Sequence, residues 1–220
     1  MDDEVRFRAD LFRGTAGYYD RYRLPYPDQM LADLVRRAVV PEGGRLLDLA
    51  CGTGQLAFPL RRWFGEVWAV DQEPDMVGAV RAKAAALGAA EFRPVVADAE
   101  TLEAGPGSFD LAVIGNAYHR LDRDLVAGWN APRERRPDAQ VLSGAGFELA
   151  ADCEFAVEHR WTVPELAGLI RSTSFLPDSV LGDQGEAFDA DLAASLAPYG
   201  DGGAYPETVS FMYELARKPG

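Results

Sequence analysis

The chain has 220 residues, enough for one domain with a substantial core. Its 48% hydrophobic and 26% charged residues are typical of a soluble globular protein, and no apolar run reaches the ~18 residues needed to span a bilayer. The formal net charge of -13 disfavours nucleic acid as a partner, because nucleic-acid binding depends on cationic contacts. We therefore expect a small-molecule ligand, with no nucleic acid and no membrane as partner.

The N-terminus and the cysteines indicate the cellular location and the absence of disulfide and zinc sites. The first residues are acidic and lack the basic and apolar layout of a signal peptide, so a cytoplasmic location is expected. Two cysteines, Cys51 and Cys153, are too few for a disulfide framework. Neither has a cysteine or histidine partner at zinc-ligand spacing, so no metal site is predicted.

The first half of the chain alternates helix and strand patterns after an aromatic and arginine-rich N-terminal segment. Asp28 is the predicted N-cap of the first long helix. Helices are predicted over residues 29–39, 55–64 and 74–87, and strands over residues 45–49, 66–70, 91–97 and 109–114. Strands that alternate with helices indicate parallel βαβ units in a doubly wound α/β sheet.

The C-terminal part has a different pattern. A short helix is predicted over residues 140–146, and residues 153–159 are typical of a strand. A helix follows over residues 164–172. Residues 173–206, rich in Pro, Gly and Asp, fit an excursion over the sheet, and residues 208–216 alternate apolar and polar side chains as a closing strand does.

The loop after the first strand is the expected ligand site. Gly52 and Gly54 allow a sharp turn and a close ligand approach, and open α/β sheets bind ligands at the carboxyl ends of their strands. Residues 52–57 also match the dinucleotide pattern G-x-G-x-x-A, and Asp71 would bind ribose hydroxyls in either class. Asp48 disfavours a pyrophosphate, because a carboxylate inside the strand suits a cationic ligand.

Four segments follow one another along the chain. They are Leu46-Leu-Asp-Leu-Ala-Cys-Gly-Thr-Gly-Gln55, Val67-Trp-Ala-Val-Asp-Gln-Glu-Pro-Asp-Met76, Val96-Ala-Asp-Ala-Glu-Thr-Leu102 and Ser108-Phe-Asp-Leu-Ala-Val-Ile-Gly-Asn-Ala-Tyr-His119. In this order and spacing they resemble the motifs of class I S-adenosylmethionine-dependent methyltransferases of the small-molecule type (types 11 and 25). The resemblance covers residues 18–125 well. It implies a Rossmann-like sheet, mostly parallel, with an antiparallel C-terminal strand.

The resemblance also implies a set of contacts to S-adenosylmethionine. The glycine loop and Asp48 would hold the methionine part, Asp71 the ribose, and Asp98 the adenine amino group. An N-terminal lead-in, Tyr18-Tyr-Asp-Arg-Tyr-Arg-Leu-Pro-Tyr-Pro27, would close over the cofactor, and Arg23 would pair with the methionine carboxylate. The cofactor residues predicted in this way are Tyr19, Arg23, Asp48, Ala50, Gly52, Thr53, Gly54, Asp71, Gln72, Met76, Asp98, Ala99 and Asn116.

The substrate side rests on fewer residues. His119 follows the fourth strand and is the candidate general base, because an imidazole titrates near neutrality; a structural role stays open. Residues 1–28 would form a lid and residues 161–206 a substrate cover. The predicted substrate contacts are Tyr18, Tyr22, Trp161 and Phe175. Their aromatic character favours a hydrophobic or secondary-metabolite acceptor for O- or N-methylation, with S-adenosylhomocysteine as product.

One element of the family pattern is missing. After the helix that begins at Leu121, no apolar run corresponds to the fifth strand, so a segment near residues 127–134 has been lost or a partner supplies the strand; we favour the first. We expect a single methyltransferase domain over residues 1–220, as a monomer or homodimer. The alternatives are a non-transfer reaction on the same fold, an NAD-dependent oxidoreductase and a non-catalytic binding protein.

Overall fold

The structure is a computed structural model that describes residues 12–99, 102–105, 107–117, 142–144 and 146–219. Two helices come first, α1 (Ala16–Tyr22) and α2 (Asp28–Ala38). The alternating part comprises β1 (Arg45–Leu49), α3 (Ala57–Leu60), β2 (Glu66–Asp71), α4 (Pro74–Leu87), β3 (Phe92–Val96) and β4 (Leu111–Val113). The C-terminal part comprises β5 (Glu148–Trp161), α5 (Val163–Arg171), α6 (Asp178–Leu181), α7 (Gly185–Leu196) and β6 (Tyr205–Arg217).

Strands β1 to β4 form one parallel sheet in the order β3-β2-β1-β4. Strand β1 lies between β2 and β4, so the order of the strands reverses beside it. In doubly wound sheets such a reversal opens a crevice at the carboxyl ends of the strands, where ligands bind. The predicted doubly wound α/β fold is confirmed, and the crevice lies at the end of β1.

The central strands β1 and β2 are buried on both faces, which explains their apolar runs. Leu46 of β1 and Val67 and Val70 of β2 are fully buried, as strands of a parallel sheet between helices are. Helix α4 begins with proline in its first turn and ends at Gly88, whose left-handed backbone closes the helix. These local signals fix the bounds of α4 as predicted.

Two predicted helix starts are corrected. The helix expected over residues 55–64 is the shorter α3, followed by one 3-10 turn. The later start places Pro59 in the first turn, where the missing N–H costs no hydrogen bond. Asp28 is the first residue of α2 and not its N-cap; Pro27 occupies the cap position and no side chain caps this helix.

Strands β5 and β6 form a separate antiparallel ribbon with an irregularity between Leu149 and Ala151. Tyr213 and Leu215 are buried on the core side of the ribbon, and the Tyr213 hydroxyl donates to Asp33 Oδ2 of α2 at 2.5 Å. The antiparallel C-terminal strand is therefore confirmed. It begins at Tyr205, earlier than predicted, because it pairs with β5 as far as Trp161.

The described residues contain no fifth parallel strand beside β4. Among the described residues, β4 pairs only with β1. The segment near residues 127–134, where that strand was expected, lies outside the described residues. In the part of the chain that the structure describes, no helix is long and apolar enough to cross a membrane.

Helices α5, α6 and α7, here called the cap, occupy most of the excursion predicted over residues 173–206 and the helix before it. The side chain of Arg171, 7% exposed, joins all three helices. Its guanidinium donates to Asp178 Oδ1 at 3.1 Å, to Asp189 Oδ1 at 2.7 Å and to the Gly185 carbonyl at 3.1 Å. The cap is thus a helical unit and not an irregular loop.

Candidate functional site

The glycine loop follows β1 at the crevice of the sheet. Ala50, Gly52 and Gly54 have positive φ angles of 55°, 55° and 88°. A Cβ on Gly54 would lie 2.7 Å from the Phe58 ring, so the position requires glycine. Ala50 holds the same left-handed conformation at a cost, and such strain concentrates where backbone geometry serves a ligand.

Asp48 anchors this loop from inside β1. Its side chain is 1% exposed, and Oδ2 accepts a hydrogen bond from the backbone N–H of Ala57 at 2.9 Å. Burial raises the pKa of Asp48 to about 8; the Ala57 N–H opposes this shift and the charge of Asp71 adds to it. The carboxyl group therefore joins the strand to the first turn of α3 and lies beneath the loop.

Asp71 ends β2 beside the same loop. Its Oδ2 accepts from the Gly52 N–H at 2.9 Å and its Oδ1 from the Glu73 N–H at 2.9 Å. Burial raises the pKa of Asp71, while the N–H groups of Glu73, Gly52 and Gln72 lower it. Each carboxylate oxygen can accept more than one hydrogen bond, so the group retains capacity for ligand hydroxyls.

Helix α1 covers the glycine loop. The ring of Tyr19 lies over Gly52, where a Cβ would come within 3.2 Å of Cε1. Thr53 Oγ1 donates to Asp20 Oδ1 at 3.1 Å, and Gln55 Nε2 donates to the Tyr19 carbonyl at 3.4 Å. Helix α1 thus packs against the loop, and closure of the N-terminal segment over a cofactor stays a prediction.

Arg23, the predicted partner of the methionine carboxylate, has protein partners in this structure. Its guanidinium lies 4.8 Å from the centre of the Tyr19 ring, and Nε donates to Ser172 Oγ at 2.8 Å. Ser172 is the C-cap of α5. Arg23 thus connects the cap to the helix over the glycine loop, and its contact with a ligand carboxylate stays a prediction.

The carboxyl end of β4 forms the other wall of the crevice. Asn116 has a left-handed φ of 54°, and its Nδ2 donates to the Tyr26 hydroxyl at 3.2 Å. Burial raises the pKa of Tyr26. Three residues of the site were not predicted from the sequence: Asp20, Gln55 and Tyr26. Tyr26 is the last tyrosine of the lead-in segment.

The predicted adenine contacts lie at the ends of β2 and β3 and in α4. Gln72 and Asp98 are exposed and Ala99 is half-buried. The side chain of Met76 is 2% exposed and lies within the protein. Contact between these residues and adenine stays a prediction.

The four predicted substrate residues separate into two groups. Tyr18 and Tyr22, with ring centres 6.1 Å apart, line a groove of about 460 Å³ between α1 and the cap. Trp161 is 5% exposed and its indole N–H donates to Glu207 Oε2 at 2.5 Å, whereas Phe175 is 76% exposed. Neither lines the groove. His119, the candidate base, lies outside the described residues.

The site therefore offers a buried carboxyl group, a second carboxylate with acceptor capacity and a strained glycine loop under an aromatic ring. Cys51, in the same loop, is buried, and burial raises the pKa of its thiol well above the usual value. Its thiolate is therefore disfavoured, and a nucleophilic role with it. Among the described residues, no group of three or more His, Cys, Asp or Glu side chains could hold a metal ion.

Residues 46–131 match the model of a family described as a methyltransferase domain. The YqeM protein of Bacillus subtilis (strain 168), whose name assigns it provisionally as a methyltransferase, is 30% identical over 179 residues. The alignment covers 80% of this chain and 63% of that protein, so the chain spans less than two thirds of its relative's length.

Solved structures share the fold at low sequence identity. A provisionally named type II methyltransferase from Anaeromyxobacter dehalogenans is 22% identical, with a TM-score of 0.56 over 90% of this chain and 98% of its own. The [4+2]-cyclase SpnF is 19% identical, with a TM-score of 0.52 over 90% of this chain and 84% of its own. One fold thus carries both names, so the fold does not identify the reaction.

Proposed function

Because residues 46–131 match a family model described as a methyltransferase domain, we propose that this chain is a class I methyltransferase that binds S-adenosylmethionine at the glycine loop and transfers a methyl group to a small molecule. The observation that carries this proposal is the position of the loop. It lies at the reversal point of a parallel sheet, between Asp48 inside one strand and Asp71 at the end of the next.

The described residues fit this cofactor. Gly52 and Gly54 supply the positive φ angles that the loop needs beneath Tyr19 and beside Phe58, and Asp71 has lone pairs for a ribose diol. A sulfonium ligand is cationic, and it would favour the ionised form of the nearby Asp48. A dinucleotide pyrophosphate would instead place negative charge beside this buried carboxyl group, which disfavours the NAD-dependent alternative.

S-adenosylmethionine, when bound, supplies an electrophilic methyl group. The residues of this chain would contribute mainly position and the exclusion of water, which lower the barrier of an in-line displacement. Asp71 would orient the ribose, and Tyr19 would cover the loop. A proton acceptor is needed only for a hydroxyl or a protonated amine, and we propose His119 for that role.

The groove between α1 and the cap is our candidate for the acceptor site. Tyr18 and Tyr22 contribute aromatic surface and Val163, Pro164 and Ala167 contribute aliphatic surface. Ligand pockets are mostly apolar with a few polar groups, and Arg171 and Asp178 are such groups here. We propose a hydrophobic small molecule that is methylated on oxygen or nitrogen.

The first test is cofactor binding. Titration calorimetry is expected to show binding of S-adenosylmethionine and no binding of NAD. Asp71→Ala removes the ribose acceptor and the partner of the Gly52 N–H, so its affinity for S-adenosylmethionine should fall at least about tenfold. Asp152→Ala, an exposed aspartate on β5, is the matched control and should bind as the wild type does.

An unchanged affinity of Asp71→Ala would show that the ribose site is assigned wrongly. The reaction is tested separately, by assaying S-adenosylhomocysteine in mixtures of the enzyme with hydrophobic phenols and amines. Formation of this product supports methyl transfer. Tight binding of S-adenosylmethionine without any product from the acceptors would favour the non-transfer alternative on the same fold.

A further inference from the structure

Gly168 lies in the interior of α5, six positions into a nine-residue helix. Glycine in a helix interior costs stability relative to alanine, because it loses more backbone freedom on folding. The position is also buried. An isolated glycine at such a place indicates that a neighbouring group occupies the space of a side chain.

That neighbour is the ring of Tyr22 in α1. A Cβ built on Gly168 would lie 2.3 to 2.4 Å from three atoms of this ring, far inside contact distance. The ring therefore rests directly on the backbone of α5. Arg23 adds a second contact between α1 and α5, a hydrogen bond to Ser172 at the end of α5. This interface between α1 and α5 is here called the seam.

Helix α1, which carries Tyr22, contacts the glycine loop through other residues. Tyr19 lies over Gly52, and Asp20 accepts from Thr53. Helix α1 has only seven residues, so Tyr19 and Tyr22 are joined by less than one turn and move together. Helix α1 is thus held between the cap on one side and the glycine loop on the other.

We propose that Gly168 is a positioning residue for cofactor binding. Because Gly168 has no side chain, the Tyr22 ring can pack directly on α5, and this contact fixes the distance between α1 and the cap. The position of α1 in turn fixes the distance between the Tyr19 ring and Gly52. The inference rests on the proposed function of the glycine loop. It adds a positioning residue in the cap that lines the proposed acceptor groove and whose nearest neighbouring atoms belong to the Tyr22 ring.

The consequence of adding one methyl group follows from the distances. Carbon atoms in contact prefer separations of about 3.5–4.0 Å, so Gly168→Ala must displace the Tyr22 ring by about 1 Å. Misplacement of this size can cost up to about 100-fold when a site depends on alignment. We expect Gly168→Ala to lower the affinity for S-adenosylmethionine about tenfold.

The test compares two helix glycines. Gly78 in α4 is the matched control, because a Cβ there would have nothing within 4 Å. Titration calorimetry with S-adenosylmethionine should show a loss for Gly168→Ala and none for Gly78→Ala. In a Tyr22→Ala background, where the ring is absent, adding Gly168→Ala should have no further effect.

An affinity of Gly168→Ala within twofold of the wild type overturns the proposal, and so does an equal loss in the Tyr22→Ala background. If Gly168→Ala does not fold, Ser172→Ala replaces it. That variant removes the hydrogen bond from Arg23 Nε to Ser172 Oγ at the seam and keeps the one from Nη2 to the Ser172 carbonyl at 3.4 Å. Unchanged affinity would again overturn the proposal.

Hydrogen exchange without any ligand separates this proposal from the proposed function. The amides of α1 and of residues 52–54 should exchange faster in Gly168→Ala than in the wild type. Faster exchange in a protein that does not bind S-adenosylmethionine would reject the proposed function while showing that Gly168 seats α1. Normal cofactor binding by the wild type with unchanged exchange in the variant would reject the role of Gly168 alone.

Discussion

Burial of Asp48, a proposed cofactor contact, carries a stability cost. Its ordinary pKa of 3.8 rises to about 8 because the carboxyl group is buried. Between these values the folded protein holds a proton that the unfolded chain has lost. Stability therefore falls as pH rises from about 4 to about 8, by at most about 1.4 kcal/mol per pH unit from this group.

Asp48→Asn removes this titration and keeps an oxygen that can accept from the Ala57 N–H. The stability of the variant relative to the wild type should therefore increase steadily between pH 5 and pH 8. Urea unfolding at several pH values measures the difference, with the exposed Asp152→Asn as the control. A difference that does not change with pH would contradict the protonated state inferred for Asp48.

Single residues also show what the sequence could not reveal about the site. Asp48, Gly52 and Asp71 were predicted from the chain because each lies in a short motif inside or at the end of a strand. Arg23 was assigned to a ligand, whereas its partner Ser172 is 149 residues away. A contact across that separation leaves no local pattern in a single sequence.

At the scale of elements, sequence reasoning succeeded where the ends of an element are marked locally. Helix α4 was predicted over its exact residues because proline begins it and glycine ends it. Helices α6 and α7 were not predicted, since Pro, Gly and Asp residues interrupt their pattern. They are held by Arg171, whose ion pairs with Asp178 and Asp189 are tertiary interactions.

Helix α5 has a complete capping box. Glu165 N–H donates to Thr162 Oγ1 at 3.4 Å, and Thr162 N–H donates to Glu165 Oε2 at 2.7 Å. Thr162→Ala should lower the free energy of unfolding by about 1 kcal/mol, measured by guanidinium titration. Thr208→Ala, which loses only an exposed hydroxyl contact with Glu158, should stay within about 0.5 kcal/mol of the wild type. Equal losses in both variants would contradict a specific capping contribution.

At the scale of the whole molecule, the net charge of -13 governs its encounters with other polymers. A surface with this excess of carboxylates repels polyanions, and nucleic-acid binding needs cationic contacts that release counterions. The protein should therefore pass through a heparin column at about 50 mM salt and be retained by an anion exchanger. Retention on heparin would reveal a basic surface that the overall charge conceals.

The whole-molecule fold was predictable in outline because alternating strands and helices permit few arrangements. The relation between the cap and the sheet was not predictable. It depends on the fit of Tyr22 against Gly168 and on the bond between Arg23 and Ser172, and each joins the N-terminal helix to residues far along the chain.

Helix α1 packs between the cap and the glycine loop, and this arrangement has a consequence for how such proteins diversify. In the described residues, the cap packs mainly against this one helix, and the helix in turn packs against the glycine loop. A lineage can therefore exchange other residues of the proposed acceptor groove while Ser172 is retained together with Tyr22 and Gly168, which also line the groove. Substrate preference can then drift under selection while the proposed cofactor site stays intact.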